Sequence, residues 1–305
     1  MVTPHGTTHR IDAHLNRSIS ESLRSPMPLK TLKYIVHHPL NCTNRLAAIS
    51  RFIRWQLGSR LLPFPIIYPL TNRTQLAIHR GMSGATGNIY CGLHEYAEMA
   101  FAGHLLREDD LFVDVGANVG SYTILAAGHT KARVVSFEPI AATYRYLQLN
   151  IAINDLGDRV TAYNLGVGAE QSFLKFVEDE DCKNRVSPEG TTSVCVRTLD
   201  QMIQGYPTLI KVDVEGFESS VMTGARSTLA NTMAVIIELG GDDASVTHAK
   251  MLELGFQSFR YDPVTRNLMQ EDYFTNNVIY VRDIQFVSDR LRTADAIQIR
   301  PNCQL

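Results

Sequence analysis

The chain has 305 residues, of which 45% are hydrophobic and 20% are charged, so its composition is that of a globular protein with room for one large domain and an accessory segment. Lys and Arg number 29 against 31 Asp and Glu, a balance without the basic excess that predicts a nucleic-acid partner. The 5 cysteines include no Cys-x-x-Cys pair. We therefore predict neither a zinc site nor a disulfide framework, and we expect a cytoplasmic protein.

The first part of the chain is predicted to be an extension of the main domain. Residues 1–27 are polar and without periodicity, so we interpret them as a flexible tail, and not as a signal peptide. Residues 28–90 are predicted to form an accessory segment of helices and a small hairpin, with the hairpin expected within 74–90. No run of about 18 apolar residues is present, so we expect no transmembrane helix.

Residues 45–62 have a helical pattern in which arginines are interspersed with apolar residues at spacings of three and four. A basic amphipathic helix of this kind can lie on an anionic membrane surface, so peripheral membrane contact through these residues is one interpretation. The interpretation that we favour is a helix packed on the main domain, because its apolar stripe is ordinary. The stripe consists of Leu46, Ile49, Phe52, Ile53 and Leu57.

The most informative motif begins with an apolar run from Leu111, which is typical of a buried parallel strand. The run ends in Asp-x-Gly-x-x-x-Gly, formed by Asp114, Gly116 and Gly120, and a helical pattern follows. A strand, a glycine turn and a helix bring the backbone close to a nucleotide-like ligand. The spacing differs from the Gly-x-Gly-x-x-Gly of dinucleotide sites, which argues against a nucleotide-dependent oxidoreductase. It favours S-adenosylmethionine (SAM), whose positive charges Asp114 would balance.

Glu138 follows the second predicted strand, 133–137. A carboxylate at this place accepts hydrogen bonds from the ribose hydroxyls of a cofactor, and this role is common to NAD and SAM sites. The alternative is a solvated carboxylate at a strand end. Because the glycine turn precedes it, we favour the ribose-binding role.

Strands and helices alternate after Gly120, which predicts a doubly wound, mostly parallel, Rossmann-like α/β sheet over residues 91–285. Residues 286–305 are predicted to be a C-terminal tail. An antiparallel pair is expected from 173–177 and 194–197, and strand 277–281 is expected to close the sheet. The other predicted elements are the strands 160–165, 209–214 and 234–239, and the helices 95–106, 142–153, 217–229 and 245–254.

The predicted strand at 209–214 carries an unusual number of charges. Alternation places Lys211, Asp213 and Glu215 on one face, and the carboxyl ends of parallel strands face the ligand crevice. We therefore predict Asp213 and Glu215 beside the cofactor. Lys211 would either orient the catalytic carboxylate or form a structural ion pair with Glu218.

With these motifs in order, the chain resembles the FkbM-type methyltransferases, which have the class I SAM-dependent fold. The resemblance implies methyl transfer from SAM to a hydroxyl of a sugar, a glycan or a secondary metabolite. It implies that Asp114, Gly116 and Glu95 line the methionine end, that Glu138 binds the ribose, and that adenine lies near Asn164. Asn118 and Gly120 belong to the same cofactor-binding turn. The matching segments are 112–123, 137–139, 149–154, 196–200 and 210–218, together with Glu238.

An alcohol needs a base to take its proton as the methyl group is transferred, and Asp213 or Glu215 is the candidate. His94 is another possible base, although a single histidine in a helix is more often a surface or capping residue. A divalent metal held by Asp213 and Glu238 is a second scheme. The sequence offers no third ligand, so no metal is predicted. The alternatives for function are methylation of a nitrogen or a carboxylate, and a non-catalytic SAM-binding scaffold at a membrane.

Overall fold

The structure is a computed structural model that describes residues 29–177, 185–186, 190, 192–240, 243–270 and 277–305. The predicted flexible tail, 1–27, lies outside this described part of the chain. The strands are β1 (Ile66–Pro69), β2 (Gln75–Ile78), β3 (Leu111–Val115), β4 (Arg133–Phe137), β5 (Val160–Tyr163), β6 (Gly166–Val167), β7 (Ser172–Val177), β8 (Arg185–Val186), β9 (Thr192–Arg197), β10 (Leu209–Val212), β11 (Ala234–Glu238), β12 (Gln257–Asp262), β13 (Asn267–Gln270), β14 (Asn277–Val281), β15 (Gln298–Arg300) and β16 (Cys303–Gln304).

The helices frequently end within one or two residues of their predicted limits. They are α1 (Leu29–His37), α2 (Arg45–Leu61), α3 (Ser83–Cys91), α4 (Tyr96–Leu105), α5 (Ser121–Leu125), α6 (Ala141–Ile153), α7 (Leu199–Met202), α8 (Glu218–Thr223), α9 (Arg226–Ala230), α10 (Ala244–Glu253) and α11 (Ile284–Arg292). A 3-10 turn covers Pro39–Asn41, and a π-helical turn, Ala126–Thr130, follows α5. None of the described helices is long and apolar enough to cross a membrane.

The centre of the molecule is an 8-stranded sheet in the order β13-β12-β14-β11-β10-β3-β4-β5. The run from β11 to β5 is parallel, whereas β14 is antiparallel to both β11 and β12. The predicted α/β fold with a mostly parallel, Rossmann-like sheet is confirmed. Strand 277–281 does not close the sheet as expected, because β14 inserts between β11 and β12 and leaves β13 at the edge.

Alternate residues of the central strands belong to two separate hydrophobic clusters, one on each face of the sheet. Phe112 and Leu209 belong to one cluster, whereas Val113 and Ile210 belong to the other. All residues of β3 and β10 are buried, which explains why these strands read as continuous apolar runs. Asp114 and Lys211 are the exceptions to that apolar character, and they share the face of Phe112 and Leu209.

The accessory segment, 28–90, contains a short β1–β2 pair and three helices, α1, α2 and α3. The hairpin expected within 74–90 is only partly correct, because β2 pairs with the preceding β1 and the glycine-containing stretch forms α3. One side of α2 is buried through Ala48, Phe52 and Trp55. This side packs in the same cluster as the main domain.

The C-terminal residues 286–305 form ordered elements where a tail was predicted. Helix α11 places Val287 and Leu291 in the core, and the β15–β16 hairpin adds Ile297 and Ile299 to the same cluster. The spacing of four between Val287 and Leu291 is a helical signal that the prediction of a tail did not use.

Candidate active site

Gly116 lies where the turn after β3 packs against the residue that follows β10. Its φ of +80° lies in the region that favours glycine, and an added Cβ would be 1.8 Å from the backbone oxygen of Asp213. The Asp213 N–H donates to the Val115 carbonyl at 3.0 Å. Gly116 is therefore needed for the close approach of two backbones, which holds the glycine turn and Asp213 together.

Glu138 is 6% exposed, and not the solvated carboxylate of the alternative interpretation. Its Oε2 accepts a hydrogen bond from the Asn118 N–H at 2.9 Å, and its Oε1 accepts one from the Ile140 N–H at 2.9 Å. Burial raises its pKa to about 7, although the two amides oppose the increase. Each carboxylate oxygen can accept a further hydrogen bond, so these contacts leave capacity for a hydroxyl donor.

Asn164 and Gly120 stabilise the backbone around Glu138. The exposed Asn164 donates through Nδ2 to the carbonyls of Glu138, at 2.8 Å, and Pro139, at 2.9 Å. Gly120 has a φ of +97°, and a Cβ there would be 2.7 Å from the Leu147 side chain. Asn118 also has a positive φ, +51°. We call Asn118, Glu138, Ile140 and Asn164 the Glu138 turn.

Asp114 is fully buried, and burial raises its pKa. Its Oδ2 accepts a hydrogen bond from the Thr123 hydroxyl at 2.7 Å, and that hydroxyl is 2.7 Å from the Ser136 hydroxyl. Its Oδ1 has no hydrogen-bond partner among the described residues. Because an unpaired buried acceptor is costly, the positive charge of Lys211, which lowers the Asp114 pKa, partly offsets this cost.

Lys211 lies opposite Asp114 in the parallel register of β10 and β3. It is 5% exposed, and its Nζ donates to Asp213 Oδ2 at 2.8 Å and lies 4.8 Å from the centre of the Tyr122 ring. Burial alone would lower the Lys211 pKa, but the carboxylates of Asp213, Glu95 and Asp114 hold it above its usual value. The ion pair predicted as an alternative, with Glu218, is therefore wrong. Glu218 instead accepts from the Gly216 N–H at 2.9 Å.

Asp213 and Glu238 follow or end adjacent strands, and their carboxylate oxygens lie within 4.8 Å of each other. Burial opposes ionisation of Asp213, but Lys211 holds its pKa below the usual range. Burial raises the pKa of Glu238 to about 8, and the Asp213 charge contributes to this increase. Near neutral pH the protonated form of Glu238 is therefore favoured beside an ionised Asp213.

Glu95 covers this pair from the start of α4. Its Oε2 accepts a hydrogen bond from the Tyr122 hydroxyl at 2.6 Å. Glu95, Asp213 and Glu238 each place a carboxylate oxygen within 4.8 Å of the others, an arrangement that could hold a metal ion. We call these three residues and Lys211 the Asp213 cluster. The third carboxylate that the sequence did not supply is thus Glu95.

Glu215 is not placed with Asp213 as alternation predicted. Strand β10 ends at Val212, so the period of two does not extend to residue 215. Glu215 lies at an exposed turn with a φ of +51°. Among the two predicted bases, the structure therefore brings only Asp213 into the cluster.

The accessory segment reaches the cluster at His94. The Tyr34 hydroxyl lies 3.1 Å from His94 Nδ1 and donates to the His94 carbonyl at 2.7 Å. Burial lowers the His94 pKa, and the adjacent Glu95 opposes the decrease. Glu98, one turn after Glu95, is a titratable neighbour that the sequence reasoning missed, and burial raises its pKa to about 7.

Comparisons with known proteins show which families and proteins the chain is similar to. Residues 114–261 match the model of the methyltransferase FkbM domain. A hexuronic acid methyltransferase, AglP, from Haloferax volcanii is 31% identical over 154 residues, which cover 46% of this chain and 61% of the relative. A protein described as methyltransferase 1 from Beauveria bassiana is 24% identical over 176 residues, or 48% of this chain and 70% of that protein.

Among solved structures, a methyltransferase FkbM from Methylobacillus flagellatus KT is similar, with a TM-score of 0.43 and 21% identity over 76% of this chain and 60% of that chain. The chain thus aligns with less than two thirds of the length of the haloarchaeal relative. The matched region, 114–261, includes Asp114, Glu138, Asp213 and Glu238. Over residues 114–261, about half of its length, the chain is therefore similar to the FkbM methyltransferase domain.

Proposed function

We propose that this protein is a SAM-dependent O-methyltransferase, and that its acceptor is a hydroxyl of a sugar acid within a glycan. The observation that carries the proposal is the Asp213 cluster. It combines an ionised carboxylate, a carboxyl with a raised pKa and a buried lysine at the carboxyl ends of β10 and β11. Ligands of open α/β sheets bind at this edge.

The Glu138 turn fits the ribose of SAM. Glu138 is already oriented by two amides and retains acceptor capacity for vicinal hydroxyls. The unpaired Oδ1 of Asp114 fits the ammonium of the methionine part, since a cation would satisfy a buried acceptor. When bound, SAM supplies a methyl group that is electrophilic because its sulfur is positively charged. Gly116 keeps the Asp213 cluster next to the proposed cofactor site.

The Asp213–Glu238 pair is the proposed proton acceptor. A carboxylate held at low pKa by a lysine is a weak base, whereas a group that titrates near pH 8 is matched to the proton of a hydroxyl under attack. When Glu238 loses its proton, the Asp213–Glu238 pair carries two negative charges beside Lys211. It then takes one proton from the acceptor hydroxyl as the new bond to carbon forms. Lys211 fixes the orientation of Asp213 through the 2.8 Å contact.

The acceptor class is proposed from the haloarchaeal relative, which is named as a hexuronic acid methyltransferase. The charge of Arg260 in β12 lowers the pKa of Glu98, and an arginine in this region would suit an acidic sugar. Methylation of a nitrogen or of the carboxylate itself remains the competing assignment. A carboxylate acceptor would need no base, because it is already ionised.

The test combines SAM binding with product analysis. Calorimetry measures SAM affinity, and mass spectrometry locates the methyl group after incubation with glucuronic acid-containing oligosaccharides. The proposal predicts SAM binding and a methyl ether on a ring hydroxyl. A methyl ester would instead assign the carboxylate as acceptor. Binding of NAD in place of SAM would overturn the cofactor assignment.

A further inference from the structure

Helix α2 is apolar on two opposite sides. Ala48, Phe52 and Trp55 follow one another at spacings of four and three, and they face the core. Leu46, Ile53, Leu57 and Leu61 follow at spacings of seven, four and four, so they form a second stripe on the other side. The apolar stripe predicted from the sequence therefore combines residues from two sides of α2, and only one of these sides packs against the rest of the protein.

The second stripe is exposed to solvent. Leu46 is 80% exposed, Leu61 79%, Leu57 57% and Ile53 46%. The chain that follows α2 adds Phe64 and Ile67, which are 58% and 56% exposed. We call these six residues the outer stripe. Single exposed apolar residues are ordinary. A set of them along one helix and the residues that follow it is typical of a surface that binds a protein or a membrane.

Arginines border the outer stripe. On the helical projection, exposed Arg60 lies on one side of the leucines and exposed Arg54 lies on the other, with Arg45 beyond Arg60. Their long aliphatic stems can lie along an apolar phase while the guanidinium groups reach a polar boundary. Apolar residues between two arginine flanks are the arrangement of a helix that lies in the plane of a membrane interface.

The charge of the whole segment points the same way. Residues 29–94 contain no Asp or Glu, but they contain 8 Lys and Arg. Since the whole chain has a formal charge of −2 and this segment one of +8, the remaining residues carry −10. Such an asymmetry attracts one side of the protein to an anionic surface and repels the other. The basic residues are Lys30, Lys33, Arg45, Arg51, Arg54, Arg60, Arg73 and Arg80.

We propose that the outer stripe and its flanking arginines dock this protein peripherally on an anionic lipid bilayer. A second copy of the chain fits the surface less well, because a two-fold contact would bring two segments of like charge together. A nucleic acid would use the arginines but would leave the leucines in water. A bilayer interface satisfies both, since it has an apolar layer next to a layer of negative headgroups.

The contacts of α2 and of Tyr34 also define the docked geometry. Because the side of α2 opposite the outer stripe is buried, the helix can lie on the bilayer without leaving the protein. The same accessory segment contacts His94 through Tyr34, and Glu95 follows directly in the Asp213 cluster. Docking through α2 therefore places the segment that borders the cluster at the membrane surface.

Flotation of the full chain with vesicles tests the proposal. One set of vesicles contains phosphatidylcholine alone, and the other contains phosphatidylcholine with phosphatidylserine. We expect binding to the second set, weakened by added salt because the headgroup attraction is screened. The triple variant Leu46→Gln, Leu57→Gln and Leu61→Gln should bind at least about tenfold less, since three apolar side chains no longer enter the interface. The variant Arg54→Glu with Arg60→Glu should lose the preference for phosphatidylserine.

Matched controls come from the main domain. Leu149 and Leu252 are exposed leucines on α6 and α10, and the variant with both changed to Gln should bind vesicles like the unchanged protein. SAM affinity reports on folding and should be equal in all variants. Equal vesicle binding by the triple variant and the control, or no binding to phosphatidylserine vesicles, would overturn the proposal. Sedimentation that shows a dimer abolished by the triple variant, without vesicle binding, would assign the stripe to a second copy and would also overturn it.

Discussion

At the ends of β3 and β4, the Glu138 carboxylate is held by two backbone amides. At the ends of β10 and β11, by contrast, the Asp213 carboxylate is bound by Lys211 and lies within 4.8 Å of the Glu238 carboxyl. The Glu138 turn is thus shaped by neutral donors that fix a conformation. The Asp213 cluster instead contains charges that depend on a proton. The difference supports the proposal that the Glu138 turn binds the cofactor and that a proton moves at the Asp213 cluster.

The largest effect is expected from Asp213→Asn. The change removes the ionised member of the pair, so methyl transfer should fall about 100-fold or more while SAM affinity changes little. Single-turnover assays and calorimetry measure the two quantities. Glu215→Gln is the matched control and should retain most of the activity, because Glu215 lies at an exposed turn. An equal loss in both variants would remove the distinction between the two carboxylates.

A smaller but still large effect is expected from Gly116→Ala. A Cβ 1.8 Å from the Asp213 oxygen forces the two edges of the cleft apart, so both SAM affinity and transfer should fall at least about tenfold. Gly205→Ala is the control, because Gly205 also has a positive φ, +99°, but nothing lies within 4 Å of its added Cβ. That variant should lose only about 1 kcal/mol of stability in thermal unfolding. Similar losses of activity in the two variants would show that the contact with Asp213 does not matter.

Glu138→Gln should separate binding from chemistry. The amide nitrogen of glutamine faces a backbone N–H where an oxygen now accepts, at a cost of about 1–2 kcal/mol. We therefore expect the KM for SAM to increase about tenfold, with kcat little changed. Steady-state kinetics measure both, and exposed Glu253→Gln is the control. A reduced kcat with an unchanged KM would place Glu138 in the chemistry.

The smallest effect is expected from removal of metal ions. Glu95, Asp213 and Glu238 are close enough to share an ion, but the Lys211 ammonium already neutralises Asp213. Dialysis against EDTA should therefore leave methyl transfer unchanged. Loss of activity, restored by Mg²⁺ or Mn²⁺, would favour the metal scheme over the carboxyl pair.

Local motifs allowed much of the first edge to be predicted. Asp114 lies near the end of a mostly apolar strand, and Gly116 and Glu138 directly follow predicted strands, so their place at the carboxyl edge could be inferred. The purpose of each residue was less predictable. Gly116 packs against Asp213, which is almost 100 residues later in the chain. A contact between residues so far apart has no signature in the local sequence.

The composition of the Asp213 cluster, at the ends of β10 and β11, could be recognised only from the folded structure. Alternation identified Lys211 and Asp213, but it failed at Glu215 because the strand ends at Val212. The proximity of Glu95 to Asp213 and Glu238 depends on how α4 packs over the sheet. Periodicity along α2 likewise detected apolar residues without showing that they face two sides, because a spacing of three or four does not reveal which side is covered.

The dependence of methyl transfer on pH tests the central claim most directly. Lys211, Asp213 and Glu95 surround Glu238, whose pKa is raised to about 8, first by burial and then by the charge of Asp213. A base must be deprotonated, so activity should rise with pH and level off above about pH 8. Glu238→Gln removes the titrating group, and the remaining activity should be low and without this rise. A pH profile for Glu238→Gln that is identical to that of the unchanged protein would contradict the account.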